Sequence, residues 1–395
     1  MSRVGILQSV YDGNIHKKIS AAAYDSNLHT TYTQIPQQTP KPTFNPEKHL
    51  QYYATSTGKA QYDETKRITM AQLGHGSKPN QISPIGVSDP FPLFTQEAVD
   101  IMRSEVLQRD NFLKYARYSF NSTSGLDSVV RGYVKTEGVV NCPFIYQAWT
   151  HPTTTELVSR MAGVDLDVIM DYEIAQVNVS MRDQDTVIEE VKKVERSMSE
   201  GSSEIPAVVG WHHDSYPFVC VLMLSETTNM IGGETSLRMG HDISGGGDGN
   251  MFGKVAVVPG PQRGSACVLQ GRLIEHIAPA PQGVSERITM VTSYRARGAS
   301  LPDTSVLGTV KPEVNFGSRY NEFYQEWIGY RADLMKDKLD LIKTNCRGKA
   351  GNGKFDKTKT IEALKEVEAY LKTTYEEMVL TPEEEAKMYR KGSIV

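Results

Sequence analysis

The sequence predicts an α+β chain, a mainly β core with helical flanks, on three observations. Between 208 and 297, short apolar runs alternate with Gly and Pro turns, the spacing of a sandwich or jelly roll. Just before, at 174–181, the apolar period switches from helical to strict two-residue alternation. Beyond Pro312, helical periodicity returns over 322–343 and 357–378. With 395 residues, the chain is long enough to bury a core without disulfide or metal staples.

Taken in order, residues 1–45 are polar, and 31–42 reads as an extended arm because each proline biases its predecessor away from helix. Residues 46–76 accommodate a helix or two, and 82–94 runs extended through three prolines. Thr95 is an N-cap with Glu97 in the first turn, and Ala98, Val99, Ile101, Met102, Val106 and Leu107 form a packing stripe. A second amphipathic helix is expected over 154–170. In the alternating strand, Ala175, Val177, Val179 and Met181 oppose Gln176, Asn178 and Ser180. Such a polar face meets solvent or lines a polar cavity inside a barrel.

Residues 183–204 are charged, with 187–198 a solvated helix or mobile insertion. The unbroken apolar run 218–224 is a strand buried on both faces, followed by short strands at 234–238, 255–258, 266–269, 274–277 and 288–294. The glycine-rich 244–250 is a linker or a lid. A last helix opens at Pro382, proline fitting a first turn. The implied division is an N-terminal arm (1–80), a β domain (81–300) and a helical region (301–395), whose helix faces permit a homodimer.

Composition narrows the function classes. The net charge is −4 with Lys and Arg scattered, which argues against nucleic acid as a partner. Cys142, Cys220, Cys267 and Cys346 are too widely spaced for zinc pairing or a disulfide framework, which suits a reducing compartment. With no leader and no apolar run of membrane-spanning length, the expected location is the cytoplasm, with no membrane partner. The sequons at Asn121 and Asn178 are then coincidental. Gly351-Asn352-Gly353-Lys354 lacks phosphate-loop spacing, and no G-x-S-x-G elbow marks a hydrolase.

The chemistry gathers at Trp211-His212-His213-Asp214. A His and an Asp two apart on a strand point the same way, offering two metal ligands on one face. Of nine histidines, only His212 has a carboxylate two residues on. His276, several strands later, supplies a third ligand where a jelly roll could bring the chain back. Two histidines and one carboxylate leave three positions on a metal open, the arrangement of non-haem Fe(II) oxygenases. Eleven residues further, Arg287 and Thr289 face alike on the last strand. A guanidinium there matches a carboxylate bidentately. Arg295 and Arg297 share its parity and could take the same role in another register. His213 should face away from His212, Trp211 and Tyr216 read as core or pocket wall, and His241-Asp242 as turn chemistry.

Together, His212-x-Asp214, His276 and Arg287-x-Thr289 resemble the Fe(II)/2-oxoglutarate-dependent dioxygenases. The resemblance covers about 174–297, and 211–224, 232–235 and 274–287 look like fungal members tied to secondary metabolism. It implies a double-stranded β-helix (jelly roll, cupin-like) with N- and C-terminal helical extensions. His212, Asp214 and His276 would hold Fe(II); Arg287 would grip the distal carboxylate of 2-oxoglutarate with help from Thr289; Gln176 and Asn178 are further 2-oxoglutarate contacts. The implied reaction uses dioxygen to oxidise an unactivated C–H of a small molecule by hydroxylation, desaturation or ring closure. Amino-acid oxidisers, including aziridine-forming ones, are among such enzymes, and no motif selects them. Two other readings stay open: a cupin-like metalloenzyme that does not use 2-oxoglutarate, and a non-catalytic jelly-roll binding module.

Overall fold

The structure is a computed structural model that describes residues 3–38, 40–54, 67–76, 80–119, 126–183, 185–189, 191–192, 207–240, 255–279 and 282–392. Among these, antiparallel strands build two main sheets. The larger runs β1 (Arg67–Thr69), β2 (Ile85–Ser88), β14 (Ser265–Leu269), β11 (Phe218–Met223), β16 (Glu286–Ala296), β9 (Gln176–Met181), β5 (Leu126–Val130) and β4 (Ala116–Tyr118). The short β3 (Phe91–Pro92) and β8 (Leu166–Val168) pair with β14 and β16. The smaller sheet runs β10 (Ala207–His212), β15 (His276–Pro279), β12 (Thr235–Arg238) and β13 (Val255–Val258). A separate hairpin pairs β6 (Lys135–Thr136) with β7 (Val139–Val140).

Alternation decides what each sheet face meets. Val177, Val179, Met181, Cys220, Leu222, Ala266, Val268, Ile288 and Met290 turn to one side and pack into the main core with the helices Gln96–Val106, Pro143–Thr150 and Pro152–Ala162. From the other side, Val219, Val221, Cys267, Leu269 and Val291 pack with Leu237, Ala256 and Val258 of the smaller sheet. The larger sheet is therefore apolar on both faces at its centre, as the run 218–224 predicts. Thr95 caps its helix by accepting from the Ala98 N–H, and the predicted apolar stripe of that helix is buried.

Several expectations need correction. The arm expected at 31–42 is helical as far as Gln34, the end of the helix His29–Gln34, and the chain turns extended at Ile35. Ser20 caps the helix before it, Ala21–Asn27, and Tyr24 and Leu28 are fully buried, so tertiary packing adds to the local signal. The helix expected at 154–170 spans Pro152–Ala162; Gly163 ends it at φ 69°, and β8 follows. The helix expected over 322–343 spans Tyr320–Gly351, running through Gly348. Strands β4 and β5, of 3 and 5 residues, are too short to show a period in the sequence, and residues 120–125 between them lie outside the described set. The glycine-rich 244–250, His241-Asp242 and Asn121 also lie outside it, as does most of 187–198.

The terminal regions pack together. Ile6 and Val10 of the first helix meet Met388 of the last, Pro382–Gly392. Helix Tyr320–Gly351 buries Phe323, Tyr324 and Trp327 against Tyr172, Tyr216, Leu307 and Val310. All four cysteines are free thiols. No described helix is long and apolar enough to cross a membrane.

Candidate metal and carboxylate site

His212 ends β10 and His276 begins β15, and the two are directly paired across the smaller sheet. The ladder slips in register between Val209 and His212, an irregularity of the kind that re-aims a side chain beside a functional site. Cross-strand partners share a face, so the two imidazoles lie together, ring centroids 4.4 Å apart. His212 Nδ1 lies 2.8 Å from the Gly210 carbonyl and His276 Nδ1 3.0 Å from the Ile274 carbonyl. A carbonyl only accepts, so both rings carry their proton on Nδ1, and each Nε2 lone pair is left to bind something else.

Asp214 completes the cluster. Its backbone N–H donates to the Gly271 carbonyl at 3.0 Å, holding the turn after β10 against the turn before β15. Oδ1 lies 3.8 Å from His212 Nε2 and Oδ2 lies 3.6 Å from His276 Nε2. Oδ2 is buried with no hydrogen-bond partner, an expensive condition for a carboxylate oxygen unless a cation meets it. One ligand atom from each residue lies within 4.8 Å of the others, close enough for one metal ion. Burial, reinforced by His276 and opposed by Asp214, lowers the His212 pKa below the ordinary imidazole range, favouring the neutral form. His213, just beyond the end of β10, is exposed.

The remaining candidate residues are on the larger sheet. Arg287 pairs with Ser180, Thr289 with Asn178 and Val291 with Gln176 across β16 and β9. These residues share the face on which Val291 meets the smaller sheet. Gln176, Asn178 and Ser180 are half-buried there, and Gln176 Nε2 donates to Asn178 Oδ1 at 3.4 Å. Burial alone lowers the Arg287 pKa, to about 10. Among the described residues no carboxylate pairs with it, and its buried Nε has no hydrogen-bond partner. Arg295 and Arg297, by contrast, are both engaged by Asp167, at 3.7 and 2.9 Å. Thr289 is buried beside Met223 of β11.

Two neighbours escaped the sequence reading. Asp127 on β5 pairs with Ser180 and accepts the Ser180 hydroxyl at 2.7 Å, extending the Arg287 row across a third strand. Burial raises its pKa, with the Ser180 hydrogen bond and Arg182 opposing. Gly271 lies directly under the Asp214 carboxylate. An isolated glycine before a strand signals a close backbone approach, but the sequence does not say to what. Trp211 is half-buried under the Arg238 guanidinium, 4.8 Å from its ring centroid, and Tyr216 is buried and donates to Glu173 at 2.9 Å. Both are structural, in keeping with the sequence reading.

No family model matches the chain, and no curated protein matches it. Solved structures do. The α-ketoglutarate-dependent epimerase SnoN from nogalamycin biosynthesis aligns at 13% identity over 54% of this chain and 79% of its own, with a TM-score of 0.36. A prolyl-4-hydroxylase from Pseudomonas putida aligns at 15% identity over 54% of this chain and 94% of its own, with a TM-score of 0.31. AviO1 from Streptomyces viridochromogenes aligns at 12% identity over 63% and 98%, with a TM-score of 0.37. Likeness of this degree assigns no function, which has to be argued from the residues of the site.

Proposed function

We propose that the protein is a non-haem Fe(II)/2-oxoglutarate-dependent oxygenase that oxidises an unactivated C–H of a small molecule, with dioxygen as co-substrate. The reading rests on two incomplete groups: a His-Asp-His cluster with lone pairs turned together, and a half-buried arginine with no carboxylate partner among the described residues. His212, Asp214 and His276 are the iron ligands, and Arg287 with Thr289 takes the distal carboxylate of 2-oxoglutarate. When bound, the iron would activate dioxygen, the oxidant, which takes two electrons from 2-oxoglutarate as it loses CO2 to give succinate and two from the substrate C–H. Gln176 and Asn178 line the same face and are proposed as further contacts to the keto acid.

The chain's own residues do the binding and positioning. The Gly210 and Ile274 carbonyls fix both imidazole tautomers, so no proton has to leave either Nε2 before metal binds. A carboxylate beside Arg287 would satisfy the unpartnered Nε and restore the pKa that burial depresses. A cupin-like enzyme without 2-oxoglutarate has no use for an uncompensated buried guanidinium, which supports the oxygenase reading. His212 keeps about a quarter of its side chain exposed (28%), leaving an approach for substrate from the solvent side.

We further propose a double-stranded β-helix over 81–300, an N-terminal region at 1–80 and a helical region at 301–395. A cytoplasmic setting and a role in fungal secondary metabolism, with an amino acid as candidate substrate, belong to the same proposal. The test is anaerobic addition of Fe(II) and then 2-oxoglutarate to metal-free protein, read by the visible charge-transfer band of the chelate. A band in the wild type, weakened in Arg287→Ala, supports the reading. Stoichiometric iron without a band would overturn the role of 2-oxoglutarate, and absence of iron binding would overturn the metal site.

A further inference from the structure

We propose that Gly271 is a positioning residue for the Asp214 carboxylate, the space of its missing side chain being the seat that Oδ2 occupies. A Cβ built on Gly271 would overlap Oδ2 and lie 2.7 Å from Asp214 Cγ and 3.1 Å from its Cβ, too close for ordinary packing. Gly271 is not among the residues with positive φ, so the backbone would accept any L residue. Room for the carboxylate, and not backbone freedom, is therefore what calls for glycine.

The backbone around Gly271 is anchored on both sides. The Asp214 N–H is tied to the Gly271 carbonyl, which fixes the two backbones against each other. On one side, Gln270 donates from Nε2 to the Ser83 and Ile85 carbonyls, accepts from the Ile82 N–H, and gives its own N–H to the Gly86 carbonyl. On the other side, Arg272 Nε donates to the Thr304 carbonyl at 3.1 Å. A side chain at 271 is relieved only if Asp214 turns away, which takes Oδ2 from its place 3.6 Å from His276 Nε2. Because Oδ2 rests on a Cα and not on a donor, its lone pairs stay uncommitted. In the seat it can ligate; out of it, two histidines remain.

The metal consequence rests on the oxygenase reading, whereas the steric seat does not, and the experiment separates them. Co(II) is titrated into metal-free wild type, Gly271→Ala, Asp214→Ala and the double variant, and thermal unfolding of each is followed without metal. Gly271→Ala is expected to bind Co(II) about 10- to 100-fold more weakly. In the Asp214→Ala background the same change is expected to cost no more than about twofold, since the group it displaces is gone. The metal-free unfolding temperature lost in Gly271→Ala is expected to return in the double variant.

Gly271→Ala binding within about twofold of wild type, or losses that add in the double variant, would overturn the proposal. If Gly271→Ala does not fold, the double variant decides: folded like Asp214→Ala it supports the seat, and unfolded it refutes it. A wild type that binds no Co(II) would sink the metal reading alone, because the metal-free unfolding cycle still reports on the seat.

Discussion

His212 and His276 face each other across β10 and β15, and each holds its Nδ1 proton on the carbonyl two residues before it. The same local hydrogen bond on two strands of one sheet turns both Nε2 atoms toward Asp214. Removing either ring therefore removes a ligand and leaves the other in place. His276→Ala should lower Co(II) or Fe(II) affinity by more than about 100-fold, with far-UV dichroism unchanged. His213→Ala, at an exposed position, should leave affinity within about twofold. Equal losses from both substitutions would mean that the strand, and not the cluster, is what was disturbed.

Arg287 is where stability and binding should part. A half-buried guanidinium without a counter-charge costs the folded state, and replacing a buried ion by an apolar group of similar length is neutral or stabilising. Arg287→Met should leave the metal-free protein unchanged or more stable by up to about 2 kcal/mol, a figure reduced for its partial exposure. The same change should abolish the 2-oxoglutarate band while leaving Co(II) affinity near wild type. Denaturant unfolding and anaerobic spectra on one preparation check both halves; a large loss of stability would mean that the arginine serves packing and not an anion.

The sequence carried the site further than it carried the frame around it. The convergence of His212, Asp214 and His276 is legible because strand parity and one His-x-Asp pair leave few combinations, whereas a role for Arg287 enters only through the family resemblance. The alternation in Gln176–Met181 was equally legible, its period being a direct image of the pleat. Gly271 was not, because what it admits depends on a neighbour 57 positions away in the chain. The helical character of 21–34 was missed, although Ser20 caps Ala21-Ala22-Ala23, a strong local signal to which burial of Tyr24 and Leu28 adds packing. Asp127 escaped for a related reason: strand β5 is five residues long and takes its place from pairing with β9.

The C-terminal region is fastened to the loop that follows Asp214. Ser215 accepts the Thr309 N–H on Oγ and the Val306 N–H on its carbonyl, and Tyr216 donates to Glu173, which pairs with Arg131. Arg131 and Glu173 are fully buried, so removing one strands the other. Glu173→Leu should cost about 3–5 kcal/mol, and Arg131→Met added to it should recover most of that loss. Denaturation midpoints of the two variants test this. A double variant no more stable than Glu173→Leu would show that the arginine's other bonds, to Ser318 among them, matter more than the pair.

Glu286 stands next to Arg287 in sequence, yet the parity of β16 turns it to the other face. There Arg103 grips it with two hydrogen bonds at 2.6 and 2.9 Å, and Ser225 donates a third at 2.6 Å. Burial pushes the Glu286 carboxyl up, but Arg103 and Ser225 outweigh it, and the pKa ends below the usual glutamate value. A carboxyl lowered in the folded state stabilises at pH above its unfolded pKa, and that contribution fades as pH falls through the lower, folded value. Glu286→Gln should therefore cost about 1.5–3 kcal/mol at pH 7, the worth of a hydrogen bond to a charged group. The gap to wild type should close progressively below about pH 4.5. A gap independent of pH would mean that the amide fails by shape and not by charge. Because Arg103 holds this carboxylate on the helix side of the sheet, it cannot neutralise Arg287. Among the described residues no carboxylate pairs with Arg287.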